Sequence, residues 1–591
     1  MKVSDYIANY LAEKGIDTVF VLTGGCAVHM IDSVAKHKNI DYVAVQHEQA
    51  GAMAAEAYAR IKGIGATMVT SGPGATNLLT GVCCAYYDSI PVIFLTGQVP
   101  TSQLKGESKS RQIGFQETDV VSIFKSITKY SKLITKAEEI RYEMEKATYL
   151  ALEGRKGPVL LDICDDIQRS EVNPSDLKAF TPIELEKEKN FKDEINKSID
   201  LINSSYRPVM IIGGGVGKDE IENLKGIIEE KQIPFALTWA ASDFYPHENK
   251  LYAGSFGVTS SRYGNFAVQN ADLLITIGTR LDTHEVGANI KNFGREAKKI
   301  VVDLDEAEQE KYFKLGLNVD VLCTIEANSF IKELRKQISK IHLKDRDSWI
   351  NRIQSWKEKY PICLAEYYDQ KEFVNPYVFM KELSKALKNK KSVIIPDCGS
   401  NLIWTMQGFE VSKYIKIFSA FNHSPMGYSL PASIGACYAA DDETQIICIT
   451  GDGGFQINIQ ELATIQRRKL DIKIFLLNNH GHGIIQGTQD AWLDGQYHAA
   501  NPEFGLPDPK FTNIAKAYDI NVINIKDQKN LVSQINNALN LEGPCLIEVS
   551  LKHGAQIYPK VLFGHPIEDS HPLLPFKELQ SNMIIEAIER K

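Results

Sequence analysis

The stretch TQIICITGDGGFQINIQELATIQRRKLDIKIFLLNN, residues 444–479, constrains the fold more tightly than any other. IICIT and IKIFLL are short, continuously apolar and rich in β-branched residues, as strands buried on both faces of a parallel sheet are. NIQELATIQRR between them carries Ile, Leu and Ile at helical spacing, so the segment reads as a βαβ unit. Its crossover puts both strand C-termini at one edge of the sheet, where open α/β sheets bind ligands. Asp452 and Asn479 are therefore expected to converge. Gly-Asp-Gly and Asn-Asn are also ordinary turn sequences, and either alone decides nothing. Together, a carboxylate and an amide oxygen on neighbouring strand ends suit a hard cation that bridges to a phosphate, Mg²⁺ better than Zn²⁺.

Strand and helix patterns alternate along all 591 residues, which places the chain in the α/β class and predicts about three or four domains. Residues 1–165 hold DTVFVL, YVAV, ATMVTS, PVIFLTG and GPVLLDI. A charge-rich stretch, FTPIELEKEKNFKDEIN, reads as a linker to a second block, 190–340, which holds RPVMIIGGG, ADLLITIG and AKKIVVDLD. A third block, 375–553, holds KSVIIPDCGS, the opening stretch and GPCLIEVSL. The first and third blocks both run helix, strand, glycine loop and both close on a Gly-Pro strand, an echo of duplication. Residues 554–591 lack strand alternation and are expected to form a tail over the site or an interface.

A net charge of -8 argues against nucleic acid as a partner. No apolar run approaches the roughly 18 residues of a membrane span, and the charged first helix is unlike a signal peptide, so a cytoplasmic protein is expected. The ten cysteines lie scattered in apolar segments without a CxxC, the pattern of reduced, buried thiols.

Asp452-Gly453 followed after 24 residues by Asn478-Asn479, with VQHEQAGAMAAEAYAR, TSGPGATN, FLTGQVP and IGFQETDVV in order before it, resembles the thiamine diphosphate enzymes. Within them the resemblance is closest to the acetolactate synthase branch and covers nearly the whole chain. It implies three doubly wound parallel-sheet domains, pyrimidine-binding, central and diphosphate-binding. It further implies that Asp452, Asn479 and the carbonyl of Gly481 hold Mg²⁺ against the diphosphate of thiamine diphosphate, and that Gly453, Gly454, Gly399, Ser400 and Asn401 contact its oxygens. Glu48 would meet the aminopyrimidine as the catalytic carboxyl. By its position alone it is equally a helix N-terminal glutamate favoured by the macrodipole. Met426 would lie beneath the cofactor, with the Ser424 carbonyl beside its amino group, although a gap-filling core methionine is the commoner role. Gly25, Phe115 and Gln116 match positions on the substrate side. Sites assembled between two subunits imply a homodimer or homotetramer.

The resemblance also implies FAD in the central block, where Gly213, Gly214 and Gly215, Thr238, Gly254, Arg280 and Asp282, Asp303 and Asp320 fall on matching segments, Arg280 pairing with the flavin diphosphate. IIGGGVGK by itself lacks the last glycine of GxGxxG, and a central domain without a nucleotide stays open. Two residues depart from the acetolactate synthase pattern, both on the acceptor side: His284 stands for an arginine and Thr488 for a tryptophan that Trp492 need not replace. The implied reaction is decarboxylation of a 2-oxo acid, pyruvate, and ligation of the two-carbon unit to a ketone or second 2-oxo acid. The alternatives are a carboligase acting on a nucleotide-linked 4-ketosugar, as the tail segment YPKVLFGHPIEDSHPLLP suggests, and a simple decarboxylase.

Overall fold

The computed structural model describes residues 1–182 and 191–590; residues 183–190, within the stretch expected as a linker, lie outside them. Three parallel six-stranded sheets organise the chain. The first holds Thr18–Val21, Asp41–Ala44, Gly65–Val69, Val92–Gln98, Tyr130–Ile134 and Val159–Cys164 (β1 to β6). The second holds Pro208–Ile212, Phe235–Leu237, Tyr252–Ser255, Leu273–Ile277, Lys298–Val302 and Val321–Cys323 (β7 to β12). The third holds Ser392–Pro396, Ile415–Ile417, Gln445–Gly451, Ile472–Asn478, Asn521–Ile525 and Cys545–Ser550 (β13 to β18). The two apolar runs of residues 444–479 are β15 and β16, adjacent and in register from Ile446↔Ile472 to Gly451↔Leu477. Their interiors are buried on both faces, which is why neither shows polar alternation.

The first sheet runs β2-β1-β3-β4-β6-β5 and the third β14-β13-β15-β16-β18-β17, the same order, so the echo in the sequence is a repeated topology. The central sheet runs β12-β11-β10-β7-β8-β9, the 3-2-1-4-5-6 order of dinucleotide-binding sheets, with its switch point between β7 and β10. Among the described residues no helix is long and apolar enough to cross a membrane. All ten cysteines are free.

The helix Glu48–Lys62, EQAGAMAAEAYARIK, carries a face of Ala and Gly that lets another element approach closely. Within the chain that face is covered by the helix Ser429–Ala439, its topological counterpart in the third domain. At the crossing a Cβ on Gly435 would stand 2.0 Å from the Ala54 carbonyl oxygen, so only glycine permits the approach. The C-terminal segment lies chiefly on the central domain. Arg262 donates to the carbonyls of Ser570 and Pro572, Gln269 to Glu568, and Asn270 accepts from the Ile584 N–H. Its first residues also reach the third domain, where Trp404 and Gln407 donate to the carbonyls of Gln556 and Pro559.

Candidate active site

The third sheet brings its loops together at the carboxyl edge. Asp452 follows β15, buried, with Oδ1 accepting from the Gly453 N–H at 2.8 Å and Oδ2 from the Gly481 N–H at 2.7 Å. Burial pushes its carboxyl up to about 6. Asn479 ends the neighbouring strand. Its Nδ2 and the Ser400 Oγ are both buried without a hydrogen-bond partner among the described residues. They face the same gap, since a Cβ on Gly483 would meet Asn479 Nδ2 at 2.6 Å and Ser400 Oγ at 3.1 Å. Gly399, at φ 77°, turns the chain into the helix Ser400–Gly408, and Gly483 starts the helix Gly483–Trp492. Two helix N-termini, a carboxylate and two orphaned polar groups are what a metal-bound diphosphate would satisfy. Among the described residues no three His, Cys, Asp or Glu side chains cluster as metal ligands, so a cation here would rest on one carboxylate, an amide oxygen, a carbonyl and phosphate oxygens.

Met426 lies across this gap, its Cε 2.9 Å from where a Gly453 Cβ would be, with His482 Cε1 at 2.6 Å on the other side. Ser424 has φ 49°, the left-handed region, so its carbonyl is turned out of the run of the loop. Asn401 does more than face phosphate: its Oδ1 accepts from the Asp397 N–H at 3.1 Å and its Nδ2 donates to the Cys398 carbonyl at 2.6 Å, closing the loop onto itself.

The first sheet assembles a second group at its own carboxyl edge. Glu48 is buried at the start of its helix and its Oε2 accepts from Asn77 Nδ2 at 2.9 Å. A Cβ on Gly74 would stand 3.4 Å from Glu48 Oε1 and 2.8 Å from Thr70, and one on Gly24 would collide with Thr70, which brings the loop bearing Gly25 to the same place. Gln116, at φ 64°, packs its backbone on Gly72, while Phe115 is 84% exposed. Glu48 does not meet the loop of its own chain that carries Met426. Glu56, eight residues on, is the one that bonds Tyr428 Oη, and Arg60 lies over Phe418. Nearer the helix start the loop is reached only through Asn458, among the described residues, whose Nδ2 donates to the Gly427 carbonyl at 2.7 Å and whose Oδ1 accepts from Gln49 Nε2 at 3.5 Å.

Family models agree with this arrangement. The N-terminal thiamine pyrophosphate binding domain matches residues 1–123, the central domain of thiamine pyrophosphate enzymes 195–334, and the C-terminal thiamine pyrophosphate binding domain 397–549. The chain belongs to the thiamine pyrophosphate enzymes. It is 32% identical over 573 residues to the acetolactate synthase large subunit of Cyanidium caldarium, covering 94% of each. It is 32% identical over 563 residues to the probable acetolactate synthase large subunit of Methanocaldococcus jannaschii, covering 93% of this chain and 92% of that protein. With the mitochondrial acetolactate synthase catalytic subunit of Saccharomyces cerevisiae the identity is 30% over 581 residues, 95% of this chain and 82% of that protein.

In the central domain of this thiamine pyrophosphate enzyme, Gly213–Gly215 follow β7 at the switch point. A Cβ on Gly213 would stand 2.2 Å from the Gly278 carbonyl oxygen, so glycine here lets the ends of β7 and β10 touch while Gly214 and Gly215 stay open to solvent. Thr238, Gly254 and Asp303 lie at the same edge, after or at the end of β8, β9 and β11. Three expectations change. Asp320 precedes β12 and accepts from the Lys299 N–H at the opposite, amino edge of the sheet, so it cannot share a ligand with Gly213; the acid after β12 is Glu326. Arg280 donates through Nε to Glu308 at 2.9 Å, a carboxylate that also takes Arg155 and Lys311, so it is already paired without a ligand. Asp282 caps the short helix after it, its Oδ1 accepting from the His284 and Glu285 N–H groups.

Two residues of the site escaped the sequence reading. Asp397, fully buried, accepts from the N–H groups of Cys398, Gly427 and Ser429 and from Ser429 Oγ, and lies where a Gly454 Cβ would be. It ties its own loop to the loop that follows Met426, and burial raises its pKa. Its place in PDCGSN was the available signal. Glu461 is buried in the crossover after Asp452. Its Oε1 accepts from the N–H groups of Gln46 and His47 at 2.9 and 3.1 Å, holding the entry to the Glu48 helix, and Oε2 accepts from Thr464. Burial pushes this carboxyl up to about 7 against an ordinary 4.5. A raised acid pKa means the folded state favours the protonated form, so stability is lost as pH rises from about 4.5 through about 7. Glu461→Gln can keep both amide contacts without the charge. We expect it to unfold at a higher denaturant concentration than wild type at pH 8, by on the order of 2 kcal/mol, with the difference vanishing near pH 4.5. An equal gain at both pH values would refute the buried charge as its cause.

Proposed function

We propose that this chain decarboxylates pyruvate and joins the resulting two-carbon unit to a second 2-oxo acid, forming acetolactate. The observation that carries the reading is the gap bounded by Asp452, Asn479 and Ser400, built for a metal-bound diphosphate, in a chain whose relatives named above are acetolactate synthases. Those relatives favour this acceptor over a ketosugar. Bound thiamine diphosphate would supply a carbon nucleophile for the 2-oxo group and a sink for the electrons left when CO₂ departs. Asp452, Asn479 and the Gly481 carbonyl would hold Mg²⁺, and the N-termini at Ser400 and Gly483 would take phosphate charge. Met426 and Ser424 shape the floor. Glu48 holds and returns a proton at its carboxyl oxygen, with Asn77 fixing its direction.

Since Glu48, among the described residues, bonds Asn77 and none of Asp452, Asn479 or Met426 of its own chain, we infer that the working unit is a dimer in which each chain lends Glu48 to its partner's gap. We further infer FAD at the switch point of the central sheet, against Gly213–Gly215, Gly278, Thr238 and Asp303. The test is to incubate the full-length protein with pyruvate, Mg²⁺ and thiamine diphosphate. Release of CO₂ with acetolactate as the main product by mass spectrometry is expected, and protein that releases aldehyde instead would overturn the ligation step. The absorption spectrum of the same preparation tests for flavin.

A further inference from the structure

Lys560 opens the short antiparallel pair Lys560–Val561 and Ser570–His571 at the start of the C-terminal segment. Val561 is buried in the core of the central domain and donates its N–H to the Val258 carbonyl at 2.7 Å. Alternation along a strand sends the neighbouring side chain the other way, and Lys560 reaches the helix Gly483–Trp492. There a Cβ on Gly487 would stand 3.6 Å from Lys560 Nζ and 3.7 Å from Gln556 Oε1, so the absent side chain leaves the ammonium its room. The loop that Val561 grips runs on to Thr259, whose Oγ1 meets His284 Nε2 at 2.6 Å, and Val258 donates to the His284 carbonyl at 2.8 Å. Lys560 thus stands against Gly487, the residue before Thr488, on the helix whose N-terminus bounds the diphosphate gap.

The local charge is unbalanced. Lys560 is half-buried and, among the described residues, its ammonium has no hydrogen-bond or ion-pair partner. Its cross-strand neighbour His571 has a buried Nδ1 that is also without a partner. Arg262 lies behind, its guanidinium spent on the Ser570 and Pro572 carbonyls. The acid that acts on Lys560 is Asp490, and that carboxylate already accepts from Tyr497 Oη at 2.6 Å. Burial lowers the pKa of Lys560, a strain that an anion would relieve.

We propose that Lys560 binds the carboxylate of the acceptor 2-oxo acid, with His571 beside it, in a pocket closed by the C-terminal segment. The proposal rests on the carboligase reading above and names the group that selects its second substrate. The tail thus lends a cation to the helix that carries Thr488. A charged hydrogen bond to a carboxylate in a half-buried site contributes strongly to binding, whereas a neutral acceptor has nothing to offer the ammonium.

The test uses the full-length enzyme loaded with thiamine diphosphate and Mg²⁺, and Lys560→Met and Lys560→Arg variants. Pyruvate is supplied with benzaldehyde as a neutral competing acceptor, and separately with a redox dye that intercepts the two-carbon unit. In Lys560→Met the yield of acetolactate relative to the benzaldehyde adduct, and relative to dye reduction, is expected to fall by about tenfold or more. Lys560→Arg should restore most of it. Ratios that do not move in Lys560→Met overturn the proposal, as does a parallel loss of all three activities, which would mean a structural role. Wild-type enzyme that never consumes pyruvate would instead overturn the function proposed above, and Lys560's role with it.

Discussion

Glu48→Gln is expected to lower acetolactate formation by a factor of about 10² to 10⁴, the range that a positioned proton donor and acceptor supplies. The argument depends on what the substitution leaves alone. The amide oxygen of glutamine can accept from Asn77 Nδ2 as the carboxylate does at 2.9 Å, and the side chain is nearly isosteric. His47, whose Nδ1 caps the helix by accepting from the Gln49 N–H, is untouched, and so is the grip of Glu461 on Gln46 and His47. Thermal unfolding and binding of Mg²⁺ with thiamine diphosphate should therefore match wild type. A variant that keeps more than about a tenth of the activity would remove Glu48 from the chemistry. One that fails to bind the cofactor would make its role structural.

What could be read from the chain before folding, and what could not, follows from the range of the forces involved. The convergence of Asp452 and Asn479 was legible because it needs only two buried strands joined by a crossover, and β15 and β16 are adjacent as that rule requires. The packing roles of the glycines were not legible, because Gly435 on Ala54 and Gly213 on Gly278 are close approaches between elements far apart in the chain. Asp320 was misplaced because β12 is only three residues long. An acid just before so short a strand and one just after it look alike in sequence, although they stand at opposite edges of the sheet. The ion pair of Arg280 was not legible because its partner, Glu308, lies 28 residues further on. Asp397 and Glu461 stayed hidden for a related reason. A buried carboxylate is recognised by the N–H groups that surround it, and those of Glu461 come from a strand end 415 residues away.

Asp452→Ala is expected to abolish activity by another route, through loss of the metal and with it the diphosphate. The carboxylate is the one charged ligand available to a cation in the gap, and it also holds the turn at Gly453 and the loop at Gly481 through two hydrogen bonds. Its removal should weaken binding of Mg²⁺ with thiamine diphosphate by more than about 100-fold, beyond what loss of an outer hydrogen bond to a ligand usually costs. Calorimetric titration with the metal and cofactor reads this without turnover. Asp452→Asn separates the two roles, since an amide oxygen can still accept from one of the two N–H groups but brings no charge. If Asn binds metal as wild type does, the charge is not what matters. The two inactive variants also test the dimer together. In a mixed pair of Glu48→Gln and Asp452→Ala chains, one gap receives an intact Glu48 from the second chain and an intact Asp452 from the first, while the other gap is doubly defective. Random reassociation of equal amounts should therefore regain about one quarter of wild-type activity, because half of the dimers are mixed and each has one good site. No recovery after verified subunit exchange would mean that each chain serves its own gap and that the dimer reading is wrong.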